Sequence, residues 1–282
     1  MAHTIVKSVS IVGCGWLGKP LAMRLLTEGY LVKGSTTSPE KVADLKILGI
    51  DAYLASLMPE PQGEGWAELL DVDCLIVDIP PRLSRQGGDF HPQQMDFLMA
   101  MLKKRQVAKI IYISSTSVYP EFNRIMMEAD VQEPSQSASP ALVRAEARVV
   151  ESARTNCEVT VLRCGGLMGY DRIPGKYVRG KKNMHTGDIP VNYIHRDDVI
   201  GIIVALLTSE NSGGVYNAVA PLHPPRRSVY ESSCQEFGWE APTFTTPAFT
   251  ESYKIVSSDK LAALLNYTFC YPDPLAFHYE SV

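Results

Sequence analysis

Apolar residues along the chain fall into short runs separated by segments of helical period. This pattern predicts a strand over 8–13, a helix over 17–28, a strand over 31–36 and a helix over 39–48. Gly29 and Gly49 close the two helical runs at the position past the last turn, where a left-handed backbone is needed. Ser38-Pro39-Glu40 opens the second helix with a capping hydroxyl, a proline in the first helical position and an acid in the first turn. Further strands are predicted over 72–78, 109–114 and 158–163, with helices over 92–105 and 140–154 between them. Cys74-Leu75-Ile76-Val77 and Ile110-Ile111-Tyr112-Ile113 are apolar throughout, as strands covered on both faces are. The rhythm is that of an α/β fold, a doubly wound parallel sheet of the Rossmann type. Past residue 170 it gives way to loops rich in glycine and proline, with helices over 197–208, 227–237 and 258–265 and a strand over 215–219 that rejoins the main sheet. The expected organisation is a Rossmann-type domain over 1–170 and a smaller lobe over 171–282.

Composition narrows the class. With 45% hydrophobic residues in 282, the chain can fill a large core, which excludes a disordered or fibrous protein. A formal charge of -4 gives no general attraction for nucleic acid or an anionic membrane surface. No run of 18 apolar residues occurs, and the first ten residues hold no apolar stretch before a cleavage site. Cysteines 14, 74, 157, 164, 234 and 270 form no C-x-x-C pair, so they read as reduced thiols of a cytoplasmic protein, and no metal site is expected. Internal repeats, a G-x-S-x-G elbow, H-E-x-x-H and a Walker A string are all absent from the sequence.

The chemistry-bearing feature is Gly13-Cys14-Gly15-Trp16-Leu17-Gly18, set between the first strand and the first helix. In a G-x-G-x-x-G turn the first glycine permits the tight turn and the second lets the backbone approach a pyrophosphate. The third lets helix and strand pack closely. The helix start, with Trp16 and Leu17, then offers free N–H groups and a positive dipole to the phosphates. Where an NAD-binding chain carries an acid for the ribose hydroxyls, this one has Thr36-Thr37-Ser38, with Lys41 a turn further on. Hydroxyls and a lysine suit a 2′-phosphate, so NADP is expected in preference to NAD. Asp78-Ile79-Pro80-Pro81-Arg82 leaves the strand over 72–78 at the sheet's carboxyl edge. Ile79 and Pro80 are therefore expected to line the cofactor cleft, the alternative being that the prolines only stop the strand.

Four later segments carry a family resemblance. Ile113-Ser114-Ser115-Thr116-Ser117-Val118-Tyr119 resembles the S-S-x-x-V-Y-G signature of extended short-chain dehydrogenases/reductases. Leu162-Arg163-Cys164-Gly165-Gly166-Leu167-Met168-Gly169 resembles their L-R-P-G-x-x-Y-G, Ile194-His195-Arg196-Asp197-Asp198-Val199 their I-H-V-D-D-V, and Val215-Tyr216-Asn217 their V-Y-N. The resemblance implies a nucleotide-sugar epimerase, dehydratase or carbonyl reductase acting on a small-molecule substrate, with Ser115 on the reacting oxygen. It also implies a homodimer packed through the helices over 92–105 and 140–154. Two departures stand out. Val12 occupies the first glycine of the family's G-x-x-G-x-x-G. Its Y-x-x-x-K pair, counted back from Glu151, falls on Val143 and Ala147, which move no proton. Tyr177 and Lys181 repeat that spacing in a loop after the strand over 158–163, where it is coincidental.

Tyr119 is therefore a candidate replacement proton donor, against the plainer role of a core tyrosine with a satisfied hydroxyl. For His195 with Asp197 and Asp198, the structural reading makes Asp197 the N-cap of the following helix. Arg172, Lys176, Arg179, Lys181 and Lys182 are either a grip for a substrate phosphate or a solvated loop. Two alternatives to the enzyme remain. One is a non-catalytic protein of the same fold that senses NADP or regulates a partner. The other is a β-hydroxyacid-dehydrogenase-like enzyme, which the later serine and histidine motifs oppose.

Overall fold

The computed structural model describes residues 6–81, 87–152, 157–249 and 251–280; Arg82 lies outside them. The strands are β1 Ser8–Val12, β2 Leu31–Thr36, β3 Asp51–Leu57, β4 Pro61–Gly63, β5 Cys74–Val77, β6 Lys109–Ser115, β7 Arg124–Met126, β8 Glu158–Cys164, β9 Gly166–Met168, β10 Tyr193–His195, β11 Gly214–Ala218 and β12 Lys254–Val256. The helices are α1 Gly18–Thr27, α2 Pro39–Ile47, α3 Trp66–Leu69, α4 Phe90–Leu102, α5 Pro140–Glu151, α6 Arg196–Thr208, α7 Arg226–Glu236 and α8 Asp259–Leu265. Eight strands form one sheet in the order β11-β8-β6-β5-β1-β2-β3-β4. β1 pairs in parallel with β2 and β5, β2 with β3, and β5 with β6, while β4 is an antiparallel edge. This is the doubly wound Rossmann sheet.

The apolar runs do what their pattern requires. All four residues of β5 are buried, and Val12, Leu75, Val77, Tyr112 and Val161 pack with Met95 and Leu98 of α4 and Val149 of α5 in one core cluster. The strand over 215–219 joins the sheet as β11, and Gly29 and Gly49 both take φ of 87° past α1 and α2.

Ser10 Oγ of β1 is buried without a hydrogen-bond partner among the described residues, whereas other buried polar groups in this layer are paired. His91 and Gln94 of α4 form a chain across it. Tyr112 Oη donates to His91 Nε2 (2.6 Å), His91 Nδ1 to Gln94 Oε1 (2.8 Å) and Gln94 Nε2 to the Leu57 carbonyl (2.7 Å). Lys109 Nζ donates to the carbonyls of Leu206 and Ser209 at the end of α6 and meets Glu158 at 3.0 Å.

The chain forms two compact units, and neither is a continuous stretch. The first is made of residues 1–114, 132–163 and 200–216, the second of 115–131, 164–199 and 217–282. β6, β8 and β11 each begin in the first unit and end in the second, and α6 carries the chain back to the first. The second unit contains two small parallel pairs, β9 with β10 and β7 with β12, and a cluster of Ile173, Ala220, Phe277 and Tyr279.

Candidate functional site

In the first unit the glycine turn shows three distinct constraints. Gly13 has φ of 114°, and a Cβ there would stand 2.2 Å from the Asp78 carbonyl oxygen, so Asp78 backs the turn directly. A Cβ on Gly18 would stand 2.3 Å from the Gly13 carbonyl oxygen and 3.1 Å from Ile11 Cγ2. Gly15 is different, because nothing lies within 4 Å of the Cβ it lacks. Packing does not demand a glycine at this exposed position, whereas a closely approaching ligand does.

Two groups of β2 hold the turn. Ser35 Oγ accepts from the Gly13 N–H (3.0 Å), and the Ser35 carbonyl accepts from the Cys14 N–H (2.8 Å). Cys14 fills the space over Gly34, where a Cβ would come within 2.3 Å of its sulfur. Burial first, and the Asp78 charge second, push the Cys14 thiol up to about 12, so it stays protonated and inert. No side chain caps α1 and no acid stands in its first turn, which leaves its positive end available to an anion. Leu17 itself is buried core.

Beside the turn lies a hollow of about 350 Å³ lined by Cys14, Gly15, Trp16, Lys19, Lys41, Asp44 and Leu45. An aromatic face, two lysines and an open glycine cradle match the donor set a dinucleotide phosphate requires. Thr36 is buried and its Oγ1 accepts from the Ser38 N–H (3.3 Å), while Thr37 is exposed. Ser38 precedes α2 in extended conformation, with Pro39 in the first turn, but its hydroxyl makes no capping bond. It donates instead to Glu40 Oε2 (2.6 Å), which holds that carboxyl below its ordinary range. Ile79 is half-buried and Pro80 exposed beyond β5. Lys19 and Asp44 escaped the sequence reading, as did the role of Ser35 in holding the turn. Ser35 becomes visible only through the β1–β2 register, which sets it opposite Val12.

α5 contains neither tyrosine nor lysine. Its buried acid is Glu146, since Glu151 keeps 66% of its side chain exposed. Glu146 accepts from Arg163 Nη2 (2.7 Å) and Nε (3.1 Å) and from Ser114 Oγ (2.5 Å). Counting back from Glu146 instead of Glu151 moves the Y-x-x-x-K positions to Ala138 and Leu142, so both registers lack the pair.

In the second unit, Ser115 is half-buried and precedes a short 3-10 turn, where its Oγ accepts from the Ser117 N–H (3.1 Å). Tyr119 is wholly buried, and its hydroxyl donates to Asn217 Oδ1 (2.7 Å). The hydroxyl of this core tyrosine is thus satisfied by Asn217.

Asp197 is not the cap of α6, because it lies within the first turn and accepts from Tyr170 Oη (2.8 Å). Capping falls to His195, whose Nδ1 accepts from the Asp197 N–H (3.2 Å) while its Nε2 donates to the His278 carbonyl (3.3 Å). Both bonds fix the neutral Nε2–H tautomer, and burial holds the ring below its ordinary value. Asp198 accepts from the Cys270 and Tyr271 N–H groups (2.7 and 3.0 Å). This cluster is structural, and no group of three metal ligands occurs among the described residues.

Lys182 pairs with Glu240 (2.5 Å), and Arg179 lies over the Trp239 ring at 5.5 Å. Tyr177 ends a short 3-10 turn and is 56% exposed. In the first unit, a hollow of about 330 Å³ at the C-terminal ends of α4 and α5 has no glycine cradle, and its Arg148 is paired with Asp96 (2.9 Å).

No protein-family model matches the chain. Protein YeeZ of Escherichia coli K12 is 34% identical over 277 residues, covering 98% of this chain and all of the relative. MoeE5 in complex with UDP-glucuronic acid and NAD superposes with a TM-score of 0.77 at 15% identity, over 96% of this chain and 97% of that one. UDP-glucuronic acid 4-epimerase from Bacillus cereus, in complex with UDP-glucuronic acid and NAD, gives 0.76 at 18% identity over the same shares. No helix among the described residues is long and apolar enough to cross a membrane. The chain belongs to the family of protein YeeZ, and it carries the fold of the extended, epimerase-like short-chain dehydrogenases/reductases.

Proposed function

We propose that the chain is an NAD(P)-dependent enzyme of the epimerase and carbonyl-reductase type, acting on a small polar carbonyl or sugar substrate such as a nucleotide sugar. The observation that carries this reading is the open cradle at Gly15 beside a hollow edged by Lys19 and Lys41. The positive end of α1 receives the pyrophosphate. Gly13, Gly15 and Gly18, with Trp16 and the backbone of Leu17, shape that receptor, and Ile79 and Pro80 border it. Thr36, Thr37 and Ser38 stand where the adenosine ribose is read. Lys19 and Lys41 favour a 2′-phosphate, and therefore NADP over NAD, because two cations outweigh the single charge of Asp44.

When bound, the nicotinamide supplies or accepts hydride. Ser115 orients the reacting oxygen: its hydroxyl accepts from the Ser117 N–H and keeps its own proton for a ligand. The expected assembly is a cytoplasmic homodimer. The test is a titration with NADP and NAD, followed by turnover across a panel of sugar nucleotides and carbonyls. NADP-dependent turnover abolished by Ser115→Ala supports the reading, and tight cofactor binding without turnover of any compound defeats it.

A second reading has its own observation. α5 lacks a Y-x-x-x-K pair in either register, and the Tyr119 proton is spent on Asn217. A non-catalytic NADP sensor would then change its association with a partner between oxidised and reduced cofactor, and analytical ultracentrifugation in the two forms separates it from the enzyme.

A further inference from the structure

In the second unit His195 is wholly buried, and its ring has no room to turn. The Tyr271 ring lies 3.8 Å away, centroid to centroid. A Cβ on Gly169 would stand 2.4 Å from His195 Nε2, so only a bare backbone lets the imidazole lie there. Each nitrogen serves one neighbour: Nε2–H donates to the His278 carbonyl (3.3 Å), and Nδ1 accepts from the Asp197 N–H (3.2 Å).

A proton added to Nδ1 breaks the second bond, because two donors then face each other. The Nε2 bond survives, since that nitrogen donates in both forms. Charged and titratable groups around the ring are Arg196, Asp197 and Asp198 at the start of α6, Tyr170 after β9, and Tyr271 and His278. Asp198 already accepts from the Tyr267 hydroxyl and from the N–H groups of Cys270 and Tyr271. Arg196 repels a second cation. The acceptor for the new proton is therefore Asp197 Oδ2, 3.7 Å from Nδ1, which must close by about 1 Å to reach hydrogen-bond length.

That oxygen is already in use, accepting from Tyr170 Oη (2.8 Å). Tyr170 has φ of 53°, a left-handed conformation that bulky side chains adopt only when their surroundings hold them. Its N–H and carbonyl are bonded to His278 and Glu280. Loss of the Asp197 contact thus falls on its side chain and on the segment that follows.

We propose that His195, Asp197 and Tyr170 form a proton-operated latch. The neutral imidazole caps α6 and leaves Asp197 to hold Tyr170, whereas the imidazolium draws Asp197 away and loosens the segment over 171–182. Burial opposes protonation and the Asp197 charge favours it, with burial the larger effect, so the latch opens below about pH 6.5. The latch needs neither cofactor nor substrate, and it stands apart from the proposed function.

NMR and amide exchange on the full, isotope-labelled chain between about pH 8 and about pH 5.5 test it. At the alkaline end the ring is the Nε2–H tautomer. Through the His195 titration, protection of the amides of Asp197 and over 171–182 falls about tenfold or more relative to β5, the scale of a lost hydrogen bond to a carboxylate. Tyr170→Phe, which has no hydroxyl, lowers protection over 171–182 at the alkaline end and abolishes the step there. Asp197→Asn withdraws the negative charge and lowers the His195 midpoint by about one pH unit. Should Asp197→Asn fail to fold by circular dichroism, the wild-type titration and Tyr170→Phe decide. An Nδ1–H tautomer at the alkaline end, a His195 that stays neutral until the chain unfolds, or protection over 171–182 that tracks β5 throughout overturns the latch.

Discussion

Exchanging Gly15 for alanine separates ligand recognition from folding, because the three glycines of the turn are constrained by different neighbours. Gly15→Ala adds a methyl group to open space at a position without positive φ, so the folded state accommodates it. Removing glycine's unfolded-state freedom then leaves stability unchanged or raises it by about 0.4–1 kcal/mol. The same methyl stands where the pyrophosphate must approach, and a steric intrusion of about 1–3 kcal/mol weakens cofactor binding roughly 5- to 150-fold. Gly18→Ala behaves in the opposite way. Its Cβ would lie 2.3 Å from a backbone oxygen, which must move. A cost of about 1–3 kcal/mol lowers the melting temperature by roughly 2–12 °C. Differential scanning calorimetry and cofactor titration on both variants give a two-by-two comparison. If Gly15→Ala binds the cofactor as tightly as the parent, or melts well below it, the assignment of the cradle is wrong.

Three further outcomes are expected. Arg163→Met leaves the Glu146 carboxylate buried and unpaired, and urea denaturation should show a loss of about 3–5 kcal/mol; a loss below about 1 kcal/mol would mean the pair is not buried as described. His91, His195 and His223 are all held below the ordinary histidine value, chiefly by burial, so the unfolded chain takes up protons first as pH falls. Stability should therefore decline below about pH 6.5, by at most about 1.4 kcal/mol per pH unit for fully buried His91 and less for half-buried His223; a flat urea midpoint between about pH 7 and about pH 5.5 contradicts this. Lys19→Glu with Lys41→Glu should invert the cofactor preference toward NAD, read as the ratio of the two dissociation constants, and an unchanged ratio removes both lysines from 2′-phosphate recognition.

What the sequence made legible depends on the range of the interactions concerned. β2 emerged over 31–36 because its bounds are set by local punctuation, Gly29 before it and Ser38-Pro39 after it. β3 escaped because its burial does not alternate cleanly, and Ala52 and Ala55 give little apolar signal. The helix predicted from 92 begins at Phe90, since Pro92 is tolerated in a first turn. The choice between Glu146 and Glu151 needed Arg163, which lies 17 residues away on a strand. Capping of α6 by His195 was missed because imidazole is an uncommon cap and Asp197 stood nearby as the familiar type. The glycine turn was readable because its three constraints are carried by six consecutive residues.

The interleaving of the two units bears on how the protein is made. A ribosome that has released residues 1–170 has not released a foldable first unit, because α6 and the start of β11 belong to it and are still to come. At that stage β8 is an unprotected sheet edge, and Lys109 and Glu158 lack the Ser212 hydroxyl and the α6 carbonyls that later satisfy them. Nascent chains stalled near residue 170 should thus be protease-sensitive and dependent on chaperones, with resistance appearing once residue 216 has cleared the exit tunnel.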